Sequence, residues 1–140
     1  MNEQDWSAKL PVSQVRISRA TNSLEDIMKF YGEGLGLQVI GEFENDNRYS
    51  GVIFGLPGVD YHLEFTQHDS GIPVPPASDE FLLVLYIPER EAIGRLVVKM
   101  GALGFFPTTP TNAYWEDKGV TLRDPDGYRL VLVETDGLGV

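Results

Sequence analysis

Residues 30–37 read Phe-Tyr-Gly-Glu-Gly-Leu-Gly-Leu, and this stretch decides how the fold is interpreted. It closes an apolar stripe with helical spacing, which consists of Leu24, Ile27, Met28 and Tyr31. Because glycine adopts left-handed backbone conformations cheaply, the stretch predicts the end of a helix. Its Gly-x-Gly match follows a helix rather than a strand, which argues against a dinucleotide-binding loop. Gly-Ala-Leu-Gly-Phe at 101–105 echoes it and indicates a repeated unit.

The pattern around this stretch predicts a strand, a helix and three further strands. A strand is expected over 15–20, and Asn22 is expected to cap the helix that follows. Turn-forming residues then separate three apolar or alternating runs, at 38–43, 49–55 and 61–67.

The second half repeats this order. A strand over 81–87 precedes a helical stripe, a short strand from Phe105, and a hairpin closed by Asp124–Pro125–Asp126–Gly127. We therefore predict one α+β domain of two βαβββ modules. The expected boundaries are an N-terminal arm at 1–12, module one at 13–68, a proline-rich linker at 69–79 and module two at 80–137.

Composition excludes several classes of function. The chain has 21 acidic and 11 basic residues, a formal net charge of −10 and a pI near 4.5. Such a surface repels phosphate backbones and anionic lipid, so neither nucleic acid nor a membrane is an expected partner. Cysteine is absent, which excludes a cysteine nucleophile. The polar N-terminus does not resemble a signal peptide, and we expect a cytoplasmic protein.

The ordered set of motifs resembles the vicinal oxygen chelate superfamily of glyoxalases, bleomycin resistance proteins and extradiol dioxygenases. The motifs are Phe30–Tyr31 with the glycine-rich stretch after it, and Asp124–Pro125–Asp126–Gly127–Tyr128 before the last strand. The likeness covers roughly residues 13–135. It implies an open, cupped mixed sheet with helices on its convex side and a ligand pocket on its concave side. In catalytic members, four inward side chains hold a divalent metal ion.

The metal ligands of the superfamily fall on residues that mostly cannot bind metal. The resemblance places them at Arg16, Glu64, Leu82 and Val131. Only Glu64 offers a suitable donor atom, because a guanidinium has no free lone pair and Leu and Val have no donor at all. We therefore expect no metal cofactor.

Strand alternation predicts which side chains face the pocket. The expected concave face consists of Arg16, Ser18, His62, Glu64, Thr66, Leu82, Val84, Tyr86, Arg129, Val131 and Val133. The opposite face is apolar and is expected to pack under the helices; it consists of Val15, Ile17, Tyr61, Leu63, Phe65, Leu83, Leu85, Leu130 and Leu132. Arg16 and Glu64 should pair where the metal would lie, either as a clamp for a ligand or as a structural ion pair.

His62 should share the concave face with Glu64, because it lies two residues away on the same strand. This pair could perform metal-free chemistry and is the predicted catalytic pair. Alternatively it could hold a metal in a glyoxalase-like lyase or a dioxygenase-like enzyme. A third interpretation is a histidine that lines the pocket and is held by a carboxylate or a tyrosine.

The aromatic segment Tyr114–Trp115 should overhang the pocket, where it could stack on a flat ligand or simply plug the core. With Arg16, Tyr86 and Arg129 it completes the predicted ligand-binding set. The leading hypothesis is a small-molecule-binding protein whose ligand is planar or anionic. A purely structural module with a filled pocket is an alternative, and assembly into a homodimer is left open.

Overall fold

A computed structural model describes residues 9–137 of the 140-residue chain. The first half contains strands β1 (Val15–Ala20), β2 (Gln38–Asp46), β3 (Tyr49–Leu56) and β4 (Val59–His68). Its helix α1 (Leu24–Ile27) continues as a π-helix over Met28–Gly34. The second half contains β5 (Leu82–Tyr86), helix α2 (Arg90–Ala102), β6 (Pro107–Thr108), β7 (Gly119–Arg123) and β8 (Arg129–Val133).

The strands form two four-stranded mixed sheets of identical topology. Their orders are β1-β4-β3-β2 and β5-β8-β7-β6. Within residues 9–137, the only parallel pair in each sheet joins the first and the last strand of the module. The predicted α+β fold of two βαβββ modules is confirmed. Over residues 9–137, no helix is both long and apolar enough to cross a membrane.

The apolar faces of the two sheets and the helices form one core. Leu63 and Phe65 of β4 are buried in it together with Leu130 and Leu132 of β8, as the alternation predicts. Burial of these side chains removes apolar surface from water, which stabilises the folded state by about 25 cal/mol per Å² of apolar area buried.

The expected burial of two residues of β1 is wrong. Val15 is 43% exposed and Ile17 is 47% exposed. The reason is position within the sheet, since β1 is an edge strand and helix α1 packs against β4 and its π-helical continuation against β3. A residue on the correct face is buried only where a helix reaches it.

One contact between the two modules joins the π-helix of the first to helix α2 and the residues that follow α2. The rings of Phe30 and Phe105 make an edge-to-face contact with centroids 5.0 Å apart. Gly34 faces the side chain of Met100, and any Cβ at position 34 would collide with its sulfur. The glycine-rich stretch therefore does more than end a helix, because it also lets the second helix approach.

The first helix begins differently from the prediction. Asn22 does not cap it; its side-chain amide donates instead to the Ile72 carbonyl in the linker, at 2.8 Å. The N-cap residue is Ser23, which makes no side-chain capping bond. The amide of Leu24 is satisfied from β4, since it donates to Oε1 of Gln67 at 2.8 Å. A long-range acceptor thus replaces the local cap expected from sequence.

Candidate functional site

A polar cluster lies on the concave face of the first sheet. Arg16 is in register with His62 across β1 and β4, and Ser18 is in register with Glu64. Arg16 Nη1 lies 3.4 Å from Glu64 Oε2, so the predicted pairing of these two residues is confirmed. The Ser18 hydroxyl donates to the other oxygen of Glu64 at 2.7 Å. Glu64 therefore has partners on both oxygens, whereas the side chain of Arg16 is 49% exposed.

His62 is held by a partner that the sequence did not indicate. Arg16 Nε donates to His62 Nε2 at 3.0 Å, whereas a carboxylate or tyrosine was expected. A nitrogen that accepts a hydrogen bond carries no proton, so the bond requires a neutral imidazole with its proton on Nδ1. The lone pair of Nε2 is thereby directed at a guanidinium.

This donor set does not fit a divalent metal ion. The usable nitrogen of His62 already accepts a bond from Arg16, and a cation beside that guanidinium would be repelled. Leu82 and Val131 lie on the corresponding face of the second sheet and offer no donor atoms. Among residues 9–137, no group of three or more His, Asp or Glu side chains could hold a metal.

The aromatic candidates meet in a pocket on the second sheet. Tyr86, Tyr114 and Trp115 all line one cavity of about 440 Å³. Tyr86, Val133 and Gly119 lie side by side on β5, β8 and β7, and they form its floor. The remaining lining residues are Asp117, Lys118, Thr135 and Gly137.

Local structure holds the two overhanging aromatic residues in place. They belong to a short 3-10 helix, Ala113–Trp115, whose N-cap residue Asn112 accepts a hydrogen bond from the Tyr114 amide at 2.9 Å. A Cβ at position 119 would lie 2.5 Å from the Trp115 carbonyl oxygen, so only glycine permits this segment to pack on β7. Tyr114 and Trp115 make an edge-to-face pair with centroids 4.9 Å apart, and Tyr114 is 77% exposed.

Trp115 also borders a second, smaller cavity of about 160 Å³ on the same face of the sheet. Leu82, Thr121 and Val131 line it, together with the predicted binding residue Arg129. Arg129 is 4% exposed and its donors are already engaged: Nε and Nη2 lie 3.1 Å from Oδ1 of Asp79, and Nη1 donates to the Thr109 carbonyl at 3.0 Å. Arg129 thus anchors the linker and the segment after β6.

The predicted site residues therefore fall into two groups. Tyr86, Tyr114, Trp115 and Arg129 border the two adjoining cavities of the second sheet. Arg16, His62 and Glu64 form a cluster on the first sheet, and none of the three lines either of these cavities. Glu64 lines a third cavity, of about 120 Å³, which Leu82 and Arg129 border from the second sheet.

Comparison with known proteins agrees with this fold. A family model described as the YycE-like N-terminal domain matches residues 15–66, and one described as the YycE-like C-terminal domain matches residues 80–134. The uncharacterized protein YycE of Bacillus subtilis (strain 168) is 44% identical over 126 residues, which cover 90% of this chain and 91% of that protein. The chain belongs to the YycE-like family.

Solved structures place this YycE-like chain in the superfamily that its motifs resemble. A crystal structure of a YycE protein of unknown function from Bacillus subtilis, provisionally assigned to the glyoxalase/fosfomycin resistance proteins, matches with a TM-score of 0.87 at 43% identity and covers 91% of this chain and 93% of that chain. TnmS3, an antibiotic binding protein from Streptomyces sp. CB03234, matches with a TM-score of 0.65 at 20% identity and covers 89% and 97%. The resemblance to the vicinal oxygen chelate superfamily is confirmed.

One polar network of the YycE-like chain was missed by sequence reasoning. Asp124, whose side chain is fully buried, accepts hydrogen bonds from Arg19 at 2.6 Å and from the Tyr31 hydroxyl at 2.8 Å, both from the first module. Burial, and next the negative charge of Asp124, raise the pKa of Tyr31 well above its ordinary value. A signal was present, because Arg19 falls on the apolar face of β1 by alternation and a charge there requires a partner.

Proposed function

We propose that this YycE-like protein is a small-molecule-binding protein that holds a planar ligand against Trp115, without a metal ion. The observation that carries the proposal is the cavity of about 440 Å³ lined by Tyr86, Tyr114 and Trp115. Its volume falls in the range of small-molecule sites, about 300–1,000 Å³. Three aromatic rings around one cavity favour a ligand with a flat face of its own.

The shape and chemistry of the cavity support this assignment over an aromatic plug. A plug would bury its rings, whereas Tyr114 is 77% exposed and Tyr86 is 47% exposed. Exposed aromatic rings at a cavity mouth cost free energy unless something covers them. TnmS3 shows that this fold is used by an antibiotic binding protein, and that support is at the level of the fold alone.

Charged groups at the cavity suggest how a ligand would be oriented. Lys118 and Asp117 both line it, next to the backbone of Gly119. An anionic group on the ligand would be attracted to the Lys118 ammonium, and a hydrogen-bond donor would be attracted to Asp117. The Arg16, His62 and Glu64 cluster lies on the other sheet, and this binding mode does not require it.

Fluorescence titration with naphthoate, a flat anionic probe, tests the proposal. The chain has two tryptophans, so a Trp6→Phe background leaves Trp115 as the only indole. Stacking of naphthoate on this indole should quench its emission saturably. In that background Tyr114→Ala should weaken binding about tenfold, the equivalent of a 1.4 kcal/mol loss of aromatic contact.

Phe106→Ala is the matched control, since Phe106 is also an exposed aromatic residue, at 68%, but does not line the cavity. It should leave the affinity unchanged. If naphthoate fails to quench Trp115, or if both variants bind equally, the aromatic cavity is not the binding site.

A further inference from the structure

Thr121 has a buried hydroxyl that the protein itself does not satisfy. The residue is 3% exposed, and its Oγ1 has no hydrogen-bond partner among residues 9–137. Its neighbour Leu122 points into the core, so Thr121 faces the concave side of β7 in register with Val131. There it lines the cavity of about 160 Å³, and Trp115 lines both this cavity and the larger one.

A buried hydroxyl without a hydrogen-bond partner lowers the stability of the folded protein. Buried polar groups are nearly always hydrogen-bonded, because an unsatisfied one keeps its full desolvation penalty. Valine has nearly the same shape, suits a strand and would fill the same space without that penalty. The hydroxyl therefore indicates a partner that enters through the cavity.

The rest of the cavity narrows the chemistry of that partner. Its floor is apolar, formed by Leu82 and Val131, and the guanidinium of Arg129 is already bound to Asp79 and the Thr109 carbonyl. The carboxylate of Asp79 is thus paired, and Glu80 adds a second negative charge to the wall. These surroundings repel an anion and favour a neutral group that can donate a hydrogen bond.

We propose that Thr121 is a specificity-determining residue, whose hydroxyl accepts a hydrogen bond from a hydroxyl group attached to the ring of the ligand. This inference rests on the proposed function and names its ligand class more closely: a hydroxylated aromatic compound such as a phenol. A cavity of about 160 Å³ is close to the size that holds one benzene ring, about 150 Å³. A site built for a hydroxyl also rejects the analogue that lacks it.

Fluorine NMR titration with para-fluorophenol and fluorobenzene tests the inference, because the two probes differ only in the hydroxyl. Wild-type protein should prefer para-fluorophenol, and Thr121→Val should weaken its binding about fivefold, the effect of one hydrogen bond. Fluorobenzene should bind both proteins equally. Thr121→Ser should restore the preference for the phenol.

Thr66→Val is the control, since this threonine lies on the first sheet, and it should change neither affinity. If Thr121→Val weakens both probes alike, the residue acts through packing and the inference is wrong. If naphthoate binds Trp115 but the phenol preference survives Thr121→Val, the inference is wrong while the proposed function stands. If neither naphthoate nor para-fluorophenol binds, both are wrong.

Discussion

Arg19 Nη2 lies 2.6 Å from Oδ2 of Asp124, although the two residues are 105 positions apart and belong to different modules. The guanidinium also lies 3.9 Å above the ring of Tyr128 and 4.9 Å from that of Phe65. Asp124 Oδ1 accepts hydrogen bonds from the backbone amides of Asp126 and Tyr128, each at 2.9 Å. The same carboxylate therefore also stabilises the turn of the last hairpin. One buried charge thus joins the closing turn of module two to the first strand of module one.

Asp124→Asn should destabilise the whole chain rather than the hairpin alone. The substitution removes the closest anion of Arg19, whose side chain is only 18% exposed, and leaves it the carboxylate of Asp126 at 3.3 Å. Stranding a buried charge without any partner costs about 3–5 kcal/mol, so with Asp126 retained we expect a loss below that range. Urea denaturation of Asp124→Asn should show this loss in a single transition. Asp60→Asn, at an exposed strand position, should lie within about 0.5 kcal/mol of wild type.

The alkaline stability of the protein should depend on Tyr31. Burial and the charge of Asp124 raise the pKa of Tyr31 in the folded state above that of an unfolded tyrosine, about 10. The folded state therefore binds this proton more tightly, and the resulting stability is fully present below pH about 10 and is lost as pH rises through the folded pKa. Tyr31→Phe should lose less stability than wild type over this pH range, when the free energy of unfolding is measured at a series of pH values above about 10. Tyr114→Phe removes an exposed phenol instead, and the stability of this variant should fall with pH as steeply as that of wild type.

The fold was largely predictable because its determinants are local. Helical spacing in the stripe ending at Tyr31 and alternation along β4 and β8 each span a few residues. The partners of Arg19, His62 and Leu24 were not predictable in this way, because each comes from a distant segment. Alternation assigns a residue to a face, but only the assembled sheets decide what covers that face.

Thr121→Val should make the protein more stable. It removes a buried hydroxyl that has no partner among the described residues, and the new methyl group faces apolar neighbours such as Val131. We expect a gain of about 1 kcal/mol in the free energy of unfolding by chemical denaturation. Thr121→Ser retains the hydroxyl and should show no gain. Loss of stability in Thr121→Val would mean that the hydroxyl has a structural partner.

The candidate site was predictable in its parts but not in its grouping. Tyr86 was expected to point inward and Trp115 to overhang the pocket, and both line one cavity. Arg16 was grouped with them because all were assigned to one concave face. Arg16, however, lies on the first sheet and lines neither of the two cavities that the other residues border. The relative placement of two modules depends on contacts such as that between Phe30 and Phe105, which no local pattern encodes.

A single substitution at Arg16 should convert the polar cluster into a zinc site. Arg16→His would place an imidazole beside His62, its register partner, and two register pairs from Ser18 and Glu64, which lie on the same face of the sheet. It would also release His62 Nε2 and Glu64 Oε2 from the guanidinium. Two nitrogens and one carboxylate with water in the fourth position form a known tetrahedral zinc arrangement.

Zinc should then stabilise Arg16→His but not wild type. Ligand that binds only the folded state at about 100 times its Kd adds about 2.7 kcal/mol to the free energy of unfolding, so chemical denaturation with and without zinc measures the gain. Arg16→Met frees the same two donors but adds none, and should gain far less. Equal stabilisation of wild type by zinc would show that the guanidinium does not block the site. We expect the opposite, because a cation placed between His62 and Glu64 would have to displace the fixed charge of Arg16.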